Sequence, residues 1–365
     1  MTVNARHLPA GAALEVLRHA WQAQAAGALT ASWMLHGRPG VGKTQIVTDL
    51  AAEIGALLFD LRLTTIEPQD LRGLPYYDHE TRRTVWYRPE DLPDTGPAVL
   101  FLDELTAAAP QLQPVVYGLL QERRVGGHRL PDDVLLVAAG NMVEDGALAY
   151  EMGTALSDRL IHLVVTAEAE DWLRGFALPR GLHPAVTAFI RTRPDLLETT
   201  EEALRRGETV ACTPRSWERV SQIMVAAPAR RIRDAMIAGT VGAAAAAEFA
   251  LVADDVAASV QIADMLACPR RQRTALYPAS LHGLTALACA LPQAVDRATL
   301  PAGIEILEDM RHLGGDRFSR LPLSELAAFG FEALIARALD QGWEDAFAGS
   351  DAYAAYAAAR QQAGL

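Results

Sequence analysis

At 365 residues the chain exceeds the size at which one hydrophobic core keeps growing, so two or three domains are expected. Half of its residues are apolar, 21% are charged and 6% are aromatic, a composition that builds sizeable cores and excludes the disordered class. A formal net charge of −12 argues against a surface built to neutralise many phosphates, and so against nucleic acid as the main partner.

Arg6, Glu15 and Arg18 interrupt the stretch where a secretory leader would need an apolar run, which points to a cytoplasmic location. From near Pro9, Leu14, Leu17 and Trp21 recur at helical spacing and predict a leading helix. Five short apolar runs follow: Ser32–Leu35, Leu57–Leu63, Val99–Leu102, Val134–Ala139 and Leu160–Val165. Separated by helix-length segments, they predict a mostly parallel sheet in an α/β domain over 1–166.

Directly after the first run comes Gly37-Arg38-Pro39-Gly40-Val41-Gly42-Lys43-Thr44, a complete GxxxxGK[ST] phosphate loop between a strand and a helix. Its glycines let backbone N–H groups form a nest for phosphate, and the following helix offers its positive end. Lys43 is placed to reach the β- and γ-phosphates of ATP, and Thr44 to hold Mg²⁺. The run Val99–Leu102 ends in Asp103-Glu104, two carboxylates at the edge of a buried strand where α/β sheets bind ligands. Asp103 would assist Mg²⁺ through water, and Glu104 would polarise the water that attacks the γ-phosphate. Asn141 follows the fourth run and could touch both that phosphate and the water. Arg159, just before the last strand, reads as an arginine finger that completes a neighbouring subunit's site. Beyond Thr166 the β-type runs disappear and the rest is expected to be helical. There, Thr213 and Pro214 read as an N-cap and first helical residue, which sets Arg215 in a first turn able to reach the nucleotide across a domain cleft.

Cys212, Cys268 and Cys289 are widely spaced and read as reduced core thiols without a zinc or disulfide role. The run Ala235–Ala247 is too short and too weakly apolar for a membrane span, and within it Ala243–Ala247 suits a tight helix–helix contact. A lid-like helical domain over 167–265 and a helical C-terminal extension over 266–365 are expected, jointed near Cys268-Pro269-Arg270-Arg271. In the extension, Leu323–Leu339 has the pattern of a packed helix, and Tyr353 with Tyr356 suits a last helix docking on a neighbour.

Taken in order, HGRPGVGKT, VLFLDEL, AAGN, ALSDRL and TPRSWERV resemble the MoxR-family AAA+ ATPases, in the clade that also holds the ATPase subunit of magnesium chelatase. The resemblance covers roughly residues 10 to 265. It implies an α/β ATPase domain with a helical lid, assembled as a ring, usually a hexamer, with ATP between subunits. It also implies a remodelling chaperone acting on a partner protein, one with a von Willebrand factor A domain or an enzyme that needs metal insertion. A chelatase-type motor is the alternative within the same chemistry. A nucleic-acid motor is the alternative of another class, kept open by Arg82, Arg83, Arg123, Arg124 and Arg129. Two hairpins are expected, Leu74–Asp78 with Thr84–Arg88 and a smaller one around Gly126-Gly127, and in related rings both face the central pore. Tyr76, Tyr77, Trp86 and Tyr87 either grip a substrate chain there or pack the hairpin against itself, and the sequence does not separate the two.

Overall fold

The computed structural model describes residues 3–142, 145, 152–227, 229–347 and 350–362. Two compact units emerge: Met1–Glu168 with Thr200–Glu208 and Thr213–Arg215, and Ala169–Thr199 with Thr209–Cys212 and Ser216–Leu365.

Ten strands are described in the first unit: β1 (His7–Pro9), β2 (Ser32–His36), β3 (Leu57–Arg62), β4 (Pro75–Asp78), β5 (Arg83–Trp86), β6 (Ala98–Asp103), β7 (Arg124–Val125), β8 (His128–Arg129), β9 (Val134–Gly140) and β10 (Leu160–Thr166). Six of them form one parallel sheet in the order β1-β10-β2-β9-β6-β3. Its central strands β2, β6 and β9 are buried along their whole length, as expected where both faces of a parallel sheet are covered. Alternation along each strand assigns the faces. Trp33, Leu35, Val99, Phe101, Leu135, Val137 and Ala139 share one core with Leu17, Val47 and Leu50 of helices α1 (Ala10–Ala25) and α2 (Lys43–Glu53). Met34, Leu100, Leu102, Leu136 and Ala138 point the other way, into a core shared with Val116 and Leu119 of the helix Gln113–Glu122.

All five expected strands are present, and β1 is a sixth that the sequence reading did not include. It has only three residues, too few for a periodicity, and is held by pairing with Val164–Thr166. Two small antiparallel hairpins complete the unit. In β4–β5 Tyr76 lies opposite Val85 and Tyr77 opposite Thr84. Tyr76 and Tyr87 stack at 4.3 Å, the Arg72 guanidinium lies 4.3 Å above Trp86, and Tyr77 remains 79% exposed. Tyr76 and Tyr87 are thus engaged with each other, and Trp86 with Arg72 just ahead of the hairpin. The second hairpin, β7–β8, turns at Gly126-Gly127.

No strand occurs among the described residues of the second unit, as the loss of β-type runs foretold. Its cores lie on both sides of the Cys268–Arg271 stretch. Phe189, Trp217 and Phe249 form one aromatic cluster, and Leu284, Leu287, Leu307, Phe331 and Leu334 belong to a larger apolar core. Ala245 and Ala246 are buried where the helices Arg230–Val241 and Ala243–Ser259 pack closely. The three cysteines are free thiols, two of them buried. Among the described residues no helix is long and apolar enough to cross a membrane.

Candidate active site

The carboxyl ends of β2, β9 and β6, adjacent in the sheet, deliver three of the sequence's motifs to one place. Parallel strands end their side-chain ladders at the same edge, so residues far apart in sequence converge there. The loop after β2 turns through Gly40 at φ +83° and enters α2 at Gly42, φ +104°, conformations that side-chain-bearing residues rarely adopt. At Gly40 a Cβ would also lie 2.9 Å from Thr213 Oγ1, and Arg215 N donates to the Gly40 carbonyl at 3.4 Å. The loop and Arg215 therefore depend on a glycine at position 40.

A cavity of about 200 Å³ opens at this edge, lined by Pro39, Gly40, Gly42, Lys43, Thr44, Arg62, Asp103, Glu104, Gly140, Asn141 and Arg215. Of the loop residues, Gly37, Arg38 and Val41 lie outside the lining. Val41 is anchored in the core beneath. Arg38 is turned to carboxylates, with Nη2 2.8 Å from Glu201 and Nε 3.6 Å from Asp145. Arg159 is exposed in the turn before β10 and does not line its own chain's cavity.

Lys43 is buried, and its ammonium donates to the Gly37 carbonyl at 2.5 Å, the Arg38 carbonyl at 3.1 Å and Asn141 Oδ1 at 3.0 Å. Burial pulls its pKa down to about 8, against the opposing pull of the Asp103 and Asp145 carboxylates. Asn141 is clamped in turn by Thr106, whose hydroxyl accepts from Asn141 N at 3.1 Å and donates to the Asn141 carbonyl at 3.0 Å.

Asp103 closes β6 and is almost fully buried, with one oxygen 2.9 Å from Glu104 N. Glu104 takes a left-handed backbone, φ +59°, as the chain leaves the strand for a short 3₁₀ turn. Its carboxylate accepts a short hydrogen bond from the Thr64 hydroxyl, and Arg62 Nε lies 3.9 Å away. Thr44 and Asp103 give the cavity the hydroxyl and carboxylate oxygens that suit Mg²⁺, an ion that takes one or two protein oxygens beside substrate phosphates.

Arg62, Thr64 and Thr106 are site residues that sequence reasoning missed. One signal existed for Arg62: two neighbouring parallel strands of equal length end together, and the register pairs Arg62 with Asp103. The Thr106 clamp had none, because it depends on where the 3₁₀ turn places one hydroxyl.

Residues 32–162 match the family model described as "ATPase family associated with various cellular activities (AAA)". The ATPase family gene 2 protein homolog B of Mus musculus is 37% identical over 100 residues, which is 27% of this chain and 11% of that protein. The uncharacterized protein YeaC of Bacillus subtilis (strain 168) is 34% identical over 134 residues, 35% of this chain and 40% of that protein. The chain thus spans about a tenth of the first of these and two fifths of the second. A solved structure of a Thermotoga maritima RuvB variant aligns with 89% of this chain and 86% of that chain at 13% identity, TM-score 0.33. Residues 32–162 are thus similar to the AAA ATPase-family domain, and the six-stranded parallel sheet with its covering helices is an α/β fold.

Proposed function

We propose that the AAA ATPase-family domain of residues 32–162 hydrolyses ATP within a homo-oligomeric, hexameric ring, and that the ring remodels or activates a partner protein. The convergence of Lys43, Asp103, Glu104, Asn141 and Arg215 on one polar cavity, with Arg159 exposed outside it, carries this reading.

In this mechanism the phosphate loop cradles the triphosphate, and its oxygens take over the Lys43 donors that the loop carbonyls now hold. Thr44 would hold Mg²⁺ and Asp103 would assist it through water, and the ion would supply charge neutralisation at the phosphates. Glu104 accepts a hydrogen bond from the attacking water and polarises it, while the Thr64 hydroxyl donates to the same carboxylate and fixes it. Asn141, tied to Lys43 on one side and Thr106 on the other, orients that water against the γ-phosphate. Arg215 stabilises charge on the nucleotide of its own chain, and Arg159 does so for the neighbour's. The MoxR-like motifs supply the rest of the proposal: a lid over 167–265, an extension over 266–365 for docking, a cytoplasmic setting and a partner with a von Willebrand factor A domain.

The test is subunit mixing. An arginine finger contributes roughly 10³ to 10⁵ in rate, so Arg159→Ala is expected to bind ATP nearly normally and to be almost inactive. Lys43→Ala binds no nucleotide yet still presents Arg159. In mixed rings with subunit exchange demonstrated, intact phosphate loops meet intact fingers and turnover should exceed the sum of the separate preparations. No gain at any ratio, or full activity of Arg159→Ala alone, refutes the role of Arg159 as a finger acting across the subunit boundary.

A further inference from the structure

His36 closes β2 one residue before the phosphate loop, and His162 lies on the adjacent strand β10, three residues after Arg159. The parallel register sets Met34 beside His162 and His36 beside Val164. His36 is buried, the two rings lie nearly parallel with centroids 5.1 Å apart, and His36 Nε2 is 2.8 Å from His162 Nδ1. On its far side His162 Nε2 lies 2.9 Å from the Ser157 carbonyl and 3.1 Å from the Ser157 hydroxyl.

These partners settle the direction of the bonds. A carbonyl only accepts, so His162 Nε2 carries a hydrogen and donates to Ser157. In the neutral ring Nδ1 is then the acceptor, and His36 Nε2 must donate to it. Burial, the neighbouring His162 and the Lys43 charge pull the His36 pKa down to about 4, which keeps that ring neutral. One polar path results: Asn141 to Lys43, Lys43 to the Gly37 carbonyl, the His36 backbone and ring, His162, and the Ser157 carbonyl. Ser157 ends the turn in which Asp158 N donates to Thr154 at 3.0 Å and Arg159 N to Leu156 at 3.0 Å. The turn that presents Arg159 is therefore tied by two histidines to the base of the phosphate loop.

We propose that the buried His36–His162 pair is a positioning device for Arg159: it fixes the Arg159 turn against the phosphate loop of its own chain, so that the guanidinium is correctly aimed at the neighbour's nucleotide. The proposal rests on the reading of Arg159 as a finger acting across the subunit boundary. A histidine pair that only fills the core would serve its own chain's fold. A positioning pair serves the neighbour's catalysis, and that difference can be measured.

The experiment extends the mixture of Lys43→Ala and Arg159→Ala subunits. His162→Phe keeps a ring of similar volume and removes both hydrogen bonds. Placed on the Lys43→Ala subunit, which donates Arg159, it is expected to cut the regained turnover roughly tenfold or more, the scale at which small misplacements of catalytic groups act. On the Arg159→Ala subunit, which holds the nucleotide and has no finger to aim, it is expected to cost little. His162→Gln on the donating subunit supplies, like the neutral imidazole, an N–H donor for the Ser157 carbonyl and an acceptor for His36 Nε2, and should restore most of the gain.

Equal losses from both placements, or none from the donating subunit, overturn the proposal while the finger reading stands. No gain in the unmodified mixture overturns the finger reading and the proposal with it. Should the phenylalanine variant fail to fold or to join the ring, His162→Gln and His162→Asn make the same comparison. The glutamine amide stands one methylene farther from the backbone, as Nε2 stands beyond Nδ1, so equal turnover from those two overturns the proposal.

Discussion

The two units bury polar groups for different ends. In the helical unit each of the prominent buried polar side chains is answered locally. Glu308 accepts from Arg311 and His312 at 3.0 Å each, Arg273 donates to Glu305 at 2.7 Å and to the Met265 and Cys268 carbonyls, and the Tyr277 hydroxyl donates to the Ile306 carbonyl at 2.8 Å. Burial pushes the Cys212 and Cys289 thiols up to about 11, which leaves them protonated and inert at neutral pH. In the sheet unit, Lys43, Asp103 and Asn141 instead line one cavity, and Lys43 donates to Asn141 there at 3.0 Å. The helical unit holds the larger cavity, about 540 Å³ against about 200 Å³, lined by Arg174, Phe329, Pro292 and neighbours. Volume alone would point to the helical unit, whereas convergent polar groups point to the cavity of the sheet unit.

The contrast breaks most visibly at Lys43. Lys43→Ala is expected to abolish measurable ATP binding by calorimetry, because a charge and three hydrogen bonds disappear together; an unchanged affinity removes the phosphate-loop assignment. Glu104→Gln should bind ATP and lose roughly 10² to 10⁴ in kcat, the usual worth of a positioned base. Wild-type turnover would assign the base to another residue. In the helical unit the corresponding lesion is one of packing. Leu334→Ala, at a fully buried site, should lower stability by about 2–5 kcal/mol in denaturant unfolding, and a smaller cost would mean the core relaxes around the gap.

Two pH effects sharpen the comparison, and both belong to the sheet unit. His36 protonates near 6.5 when unfolded and near 4 when folded. Between those values the unfolded chain binds more protons, so stability falls as pH drops from 6.5 toward 4, by up to roughly 3 kcal/mol at about 1.4 kcal/mol per unit. In His36→Gln that acid sensitivity should shrink, as read from denaturant midpoints across the window. Lys43 deprotonates near 8, whereas phosphate favours its charged form. ATP affinity should accordingly decline above pH 8, approaching about tenfold per unit. A flat affinity up to pH 9.5 would place the lysine away from the phosphates.

Much of the sheet unit was legible because its decisive features are contiguous. The runs that became β2, β6 and β9 are unbroken apolar stretches, each followed at once by its motif: the phosphate loop, Asp103-Glu104 and Gly140-Asn141. What escaped depends on register or on distant pairs. Arg62 meets Asp103 only because β3 and β6 end together, and His36 meets His162 across 126 positions. The helical unit was legible in type and in little else. Helices such as Pro184–Thr192 and Leu281–Ala294 pack across nearly a hundred residues of chain, and side-chain periodicity says which face is buried without saying against whom.

The left-handed backbone of Glu104 sets the site's thermodynamic terms. A side chain at positive φ costs about 1–2 kcal/mol, and glycine would relieve it while deleting the carboxylate. The residue proposed to polarise the attacking water is thus held in a conformation that the fold, left to its own stability, would assign to glycine. Glu104→Gly is a substitution for which gained backbone stability and lost activity point in opposite directions.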